Sequence, residues 1–253
     1  MAQRFPEVLW IVRHGQSAGN VARERAEAEA QEVITLDVRD VDVPLSPLGE
    51  RQARALGRWF SQMAPEARPT IVLSSTYRRA EHTAIIVRDQ GGLAHPAVPL
   101  IFDERLRERE FGVLDGLTKR GIVARHPEQA ELRRRFGKFY HRPPGGESWC
   151  DINLRLRSVL QTIARDFAGQ RVLVVCHSVV VLCFRYLIER LSEGRILDID
   201  REDEVANCAV TAYEHDPELE NGHGGLSLRA FNFVAPLEEA GAAVTTEQDK
   251  PTT

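Results

Sequence analysis

The sequence predicts an α/β fold: a three-layer α/β/α sandwich built on a mostly parallel sheet with an antiparallel edge. Three observations lead there. Apolar runs of strand length alternate with Ala-, Glu- and Arg-rich stretches of helical character from Glu7 to Leu191. Two of the runs, in WIVRHGQS (Trp10 to Ser17) and VLVVCHS (Val172 to Ser178), are apolar until they stop at a histidine, as strands covered on both faces must be. Two late runs, Val205 to Tyr213 and Leu226 to Phe233, flank a polar, Gly-containing loop at Asn221 to Gly225, which marks an edge hairpin.

Taken in order, Glu7 to Val12 reads as the first strand, and Asn20 to Val33, rich in Ala, Glu and Arg, as a helix. A loop of alternating Asp and Val (Asp37 to Val43) precedes LSPLGERQARALGRWF, in which Ser46 and Pro47 form a helix start: a hydroxyl N-cap, then proline in the first turn. Thr70 to Ser74 is a strand, Tyr77 to Asp89 a helix and Val98 to Phe102 a strand. Residues 118–142 read as helical and charged up to the turn RPPGGES, after which Ser148 opens a helix from Trp149 to Phe167. Arg171 to Cys176 is a strand and Val179 to Leu191 an apolar helix.

The 253 residues, 43% of them hydrophobic, are enough for one sizeable core, and no Pro/Gly/Ser linker divides them, so 5–235 is read as one domain. The small, acidic stretch from Pro236 to Thr253 lacks periodicity and is expected to stay disordered. A net charge of -4 argues against a nucleic-acid partner, which needs a sustained basic face. No run resembles a signal peptide or a membrane span, so a cytoplasmic protein without a membrane partner is expected. Cys150, Cys176, Cys183 and Cys208 show neither CxxC pairing nor zinc-ligand spacing; they read as reduced thiols, with no metal and no cofactor implied. Oligomeric state has no signature in the sequence.

Strand-ending histidines carry the chemistry. In an open α/β sheet, ligands collect beyond the carboxyl ends of strands, so His14 and His177 can share one crevice. Arg13 adds a planar guanidinium suited to phosphate oxygens, and Gly15 lets the backbone approach a ligand closely. The pair points to phosphoryl chemistry.

RHGQSAGN, SSTYRRAEHTA, LREREFGVLDG and VLVVCHS, in this order and spacing, resemble the histidine phosphatase superfamily, the group of cofactor-dependent phosphoglycerate mutases and fructose-2,6-bisphosphatase. The resemblance implies His14 as the nucleophile forming a phosphohistidine, Arg13 and Arg79 as phosphate clamps, and His177 as a donor to the phosphoryl oxygens. It selects Arg79 over its neighbour Arg78, and Glu108 as the acid and base, with Glu110 and Glu104 as rivals. It implies substrate contacts from Asn20, whose alternative role is to cap the following helix, and a minor one from Gln16. Cys176, inside its apolar strand, is read as inert.

The segment from Ala124 to Leu156 resembles fructose-2,6-bisphosphatase, which implies that Arg134 and Lys138, at i and i+4 on one helix face, grip a second phosphate; the alternative is a solvated basic face. Trp149, Ser178 and Leu182 depart from that enzyme's pattern. Few residues join Phe136 to Glu147, too few for the long insertion that shields a mutase site. The expectation is a metal-independent phosphomonoesterase acting on a small phosphorylated metabolite, with a sugar phosphate or bisphosphate as a candidate. The alternatives are a cofactor-dependent phosphoglycerate mutase and, in another class, a non-catalytic module that binds phosphorylated ligands.

Overall fold

The computed structural model describes residues 5–94, 98–219 and 224–246. Strands β1 (Val8–Arg13), β2 (Ile71–Ser74), β3 (Leu100–Phe102), β4 (Arg171–Cys176), β5 (Val210–Asp216) and β6 (Gly225–Phe233) form one sheet in the order β3-β2-β4-β1-β5-β6. β1, β2, β3 and β4 run parallel, and β5 and β6 close one edge antiparallel. The predicted fold class is what the chain adopts.

Alternate residues of the central strands feed two cores, as a period of two dictates. Leu9, Ile11, Val172 and Val174 pack on one face with α6 (Trp149–Asp166) and α7 (Ser178–Ile188), through Ile152, Leu156, Val181 and Phe184. Trp10, Val12, Val72, Leu173 and Val175 pack on the other with α2 (Pro47–Gln62) and α3 (Arg78–Gln90), through Leu56, Phe60, Ala84 and Val87. The chain leaving β1 therefore returns along one face and the chain leaving β4 along the other. That divergence makes the ends of these two neighbouring parallel strands a topological switch point, the place where the ligand crevice of an open α/β sheet lies.

Helix starts follow their caps. Ser17 opens α1 (Ala18–Ala28) in a reciprocal box with Asn20, Ser46 accepts from Gly49 N ahead of Pro47, and Ser148 opens α6 in a box with Asp151. Helix α1 ends well short of Val33 because Ala30 turns left-handed (φ 51°) and Val33 then bridges to Leu117. The stretch 118–142 is two helices, α4 (Lys119–Arg125) and α5 (Pro127–Tyr140), and Gly137 at φ 77° interrupts the second. Helix α8 (Glu193–Glu202), half-polar and short, was not foreseen. Strand β5 starts at Val210 rather than Val205, because the preceding residues form a turn with Cys208 at φ 55°. Of the expected hairpin loop, Asn221 to Gly225, residues 221–223 lie outside the described residues.

The expectation of a disordered tail is corrected for residues 236–246; 247–253 lie outside the described residues. Helix α9 (Ala235–Glu239) buries Pro236 and Leu237, the latter in the α2 core. Beyond it, Gln52 Nε2 donates to Ala243 O, and Asn207 N donates to Thr245 O. One apolar anchor and paired backbone groups do what periodicity did not advertise. Among the described residues no helix is long and apolar enough to cross a membrane.

Leu237→Ala should lower the unfolding free energy by about 2–4 kcal/mol, the cost of a core truncation, measured by urea denaturation. A loss below about 0.5 kcal/mol, typical of surface positions, would show that the tail does not pack there.

Candidate active site

Strand register builds the site. Arg13 of β1 is level with Cys176 of β4, and Ser74 of β2 with Val175, so the next residues His14, His177 and Ser75 emerge together. His14 N donates to Cys176 O (2.9 Å) and Ser75 N to Val175 O (3.0 Å), extending the ladder past the strand ends. The two imidazoles meet edge to face with centroids 5.1 Å apart, and both are buried.

His14 is oriented by its own turn. Its Nδ1 lies 2.7 Å from Gly15 O, and since a carbonyl only accepts, Nδ1 carries the proton. Nε2 then presents a lone pair, and Arg79 Nε donates to it at 3.3 Å. Burial, followed by the Arg79 and Arg13 charges, holds the His14 pKa well below its usual value, so the ring is neutral. His177 is held low by burial and by Arg79, His14, Arg155 and Arg13. Its Nε2 pairs with Ser75 Oγ at 2.9 Å, while Nδ1 is buried without a hydrogen-bond partner.

The turn itself is braced on three sides. Gly15 N donates to Thr83 Oγ1, Gln16 N to Gln52 Oε1 and Asn207 Nδ2 to His14 O. A Cβ on Gly15 would lie 2.5 Å from Gly49 O, so its glycine serves close contact with the start of α2 rather than the approach of a ligand. Thr245 Oγ1 donates to Asn207 Oδ1 and accepts from Gln52 Nε2, which ties the tail to the same brace.

Arg79 comes from the first turn of α3, and its carbonyl accepts from Thr83 Oγ1. Its guanidinium lies 5.0 Å from the Tyr77 ring centroid and takes Asp40 in both arms: Nη1 to Oδ1 at 2.9 Å and Nη2 to Oδ2 at 3.2 Å. Burial, then Asp40 and Glu110, pushes the Tyr77 phenol up to about 12, so it stays protonated. Arg13 is buried beneath, with Nη1 on Val205 O at 2.6 Å.

Glu108 arrives on the loop after β3. Oε1 accepts from Arg109 N at 2.8 Å, leaving Oε2 3.7 Å from His177 Nδ1. The loop is clamped by the Gly-Glu-Ser turn: Glu147 accepts from Arg107, Arg155 and the Glu110 amide, while Arg155 also donates to Glu108 O. One buried carboxylate thus sets the position of another.

Arg13, His14, Arg79, Glu108 and His177 are therefore gathered at one crevice. Asn20 is not the N-cap of α1; it is the third helical residue, and its Oδ1 accepts from Ser17 N and Oγ. Gln16 turns toward α2, where its Oε1 accepts from Ser46 Oγ at 2.7 Å. Arg134 and Lys138 do not share a face, because the break at Gly137 lies between them. Arg134 is exposed and paired with Glu131, and Lys138 is paired with Asp200 of α8 at 2.7 Å. Burial pushes the Cys176 thiol up, which agrees with an inert group. Asp40, Tyr77, Ser75, Thr83, Glu147 and Asn207 were not foreseen as site residues, although Ser75, Tyr77 and Thr83 lie inside the quoted motif SSTYRRAEHTA and Glu147 inside the turn RPPGGES.

The low histidine pKa values fix a pH dependence of stability. Unfolded, both rings titrate near 6.5; folded, they titrate lower, so the unfolded chain binds more protons once pH falls through 6.5. Each ring should remove up to about 1.4 kcal/mol per pH unit below that point and nothing above about pH 7.5. Urea unfolding at pH 7.5 and 5.5 should show a smaller loss in the double variant His14→Gln, His177→Gln than in the wild type. Equal losses would mean that the rings are not held neutral.

Residues 9–222 match the family described as the histidine phosphatase superfamily, branch 1. The chain is 30% identical over 213 residues to 2,3-bisphosphoglycerate-dependent phosphoglycerate mutase 2 of Gloeobacter violaceus, covering 83% of this chain and 87% of that protein. It is 31% identical over 195 residues to the 2,3-bisphosphoglycerate-dependent phosphoglycerate mutase of Rhizobium rhizogenes, covering 76% and 84%. Among solved structures, YhfR of Bacillus stearothermophilus superposes with a TM-score of 0.70 at 24% identity, over 91% of this chain and 98% of that one. A mycobacterial glucosyl-3-phosphoglycerate phosphatase complexed with VO3 gives 0.65 at 24%, over 90% and 99%. The chain belongs to branch 1 of the histidine phosphatase superfamily and is an enzyme of that type.

Proposed function

We propose that the protein hydrolyses small phosphomonoesters through a phosphohistidine on His14. The observation that carries this reading is the meeting of a neutral His14, its Nε2 lone pair facing Arg79, with His177 and Glu108 above two adjacent strand ends.

In the first half-reaction His14 Nε2 attacks phosphorus, an N–P bond forms, and the ester O–P bond breaks with its electrons leaving on the alkoxide oxygen. Glu108 supplies the proton that this oxygen needs. In the second, Glu108 takes a proton from water, the hydroxide attacks phosphorus, and the N–P bond returns its electrons to Nε2. Arg13, Arg79 and His177 hold the equatorial oxygens, where charge spreads in a loose transition state. Their burial keeps those contacts strong, since little water screens them.

Substrate breadth follows from the two basic residues outside the crevice. Arg134 and Lys138 are separated by the break at Gly137 and engage different partners, Glu131 and Asp200, so they do not form a joint grip on a second phosphate. A sugar bisphosphate therefore yields to a small monoester as the preferred substrate class. The names of the relatives at 30% and 31% identity favour a second reading, a phosphoglycerate mutase. Incubation with 3-phosphoglycerate, with and without a bisphosphate primer, separates the two: free phosphate supports hydrolysis, and primer-dependent isomer supports the mutase.

His14→Ala should abolish turnover of any accepted ester and the acid-labile phosphoenzyme with it; activity within tenfold of wild type would remove His14 as nucleophile. Glu108→Gln should slow alkyl phosphates by about 10²- to 10⁴-fold but nitrophenyl phosphate much less, because nitrophenolate leaves without a proton. Equal losses for the two esters would dismiss Glu108 as the acid.

A further inference from the structure

Arg79 already holds an anion. Its Nη1 donates to Asp40 O at 2.7 Å and to Asp40 Oδ1 at 2.9 Å, and Nη2 donates to Oδ2 at 3.2 Å. A carboxylate held in the fork of a guanidinium uses the same parallel N–H directions that a phosphate uses. Both cannot hold the fork at once, and a phosphate dianion beside an ionised Asp40 is repelled.

Burial decides which partner yields. The Arg79 side chain is 7% exposed and that of Asp40 42%. Arg79 lies against the Tyr77 ring, donates to His14 through Nε and belongs to a helix whose first turn is tied to the Gly15 turn through Thr83. Asp40 opens a three-residue 3-10 turn, Asp40–Asp42, whose only described side-chain anchor besides Arg79 is the exposed Arg39 to Asp42 pair. Rotation of Asp40 into water leaves Arg79 in place.

We propose that Asp40 is a built-in competitor for phosphate: it holds the Arg79 fork between turnovers, yields to the phosphoryl group of the substrate, and returns as inorganic phosphate leaves. The proposal rests on the reading of Arg79 as a phosphate ligand. An intramolecular carboxylate competes at an effective concentration of about millimolar or more, so it weakens a product that shares its head group with every substrate. Two buried guanidinium groups and two imidazoles would otherwise hold that product tightly.

Calorimetric titration of the full-length protein with inorganic phosphate at constant ionic strength tests this. Asp40→Asn, which keeps the shape and removes the charge, should tighten the phosphate Kd about tenfold, the scale of one charge-assisted hydrogen bond. Asp42→Asn removes an equal charge from the same turn and should change Kd by less than about twofold. Arg79→Gln should weaken phosphate, and adding Asp40→Asn to it should restore nothing. An unchanged or weaker Kd in Asp40→Asn, with Arg79→Gln still weakening, overturns the competitor and makes Asp40 an orienting group. Equal gains from Asp40→Asn and Asp42→Asn also overturn it, reducing the effect to net charge. No change in Arg79→Gln removes the phosphate site itself, and the competitor with it.

Discussion

The pairing of β1 with β4 is the constraint on which the site depends. Arg13 opposite Cys176 puts His14 and His177 one step past the end of the same ladder, 163 positions apart in sequence yet 5.1 Å between ring centroids. A one-residue slip would turn one imidazole to the opposite face of the sheet. The register is secured by strands buried on both faces, with Leu9, Ile11, Val172 and Val174 in one core and Trp10, Val12, Leu173 and Val175 in the other. Stability and chemistry thus share one set of contacts.

Electrostatics completes what register begins. Two imidazoles buried with two guanidinium groups cannot also be protonated, so the positive charge stays on arginine and the lone pair on His14 Nε2. The Gly15 carbonyl selects the tautomer, and Thr83, Gln52 and Asn207 hold the turn that carries it. On the other side of the crevice, Glu147 and Arg155 clamp the loop of Glu108. The catalytic groups proposed here are few; most of the polar network keeps them still.

Much of this was legible in the sequence because each of these groups follows an element boundary. His14 and His177 end apolar runs, Arg79 lies just inside a helix start, and all belong to motifs whose order the resemblance could use. The rest depended on tertiary contacts that leave no periodic trace. Lys138 looked like a partner of Arg134 by i and i+4 spacing, but Gly137 breaks the helix between them, and Asp200 arrives from an unforeseen helix. Asp40 looked like one of several acidic loop residues, and only the fold brings it to Arg79. The tail has too few apolar residues for a pattern, yet Leu237 and Thr245 are enough to dock it as far as residue 246.

A structure of the protein with vanadate bound would test the central claim most directly. The account predicts vanadium within bonding reach of His14 Nε2, with its oxygens on Arg13, Arg79 and His177 and Glu108 on the open side. Vanadate bound away from this crevice, or held by one imidazole with the other turned aside, would contradict it.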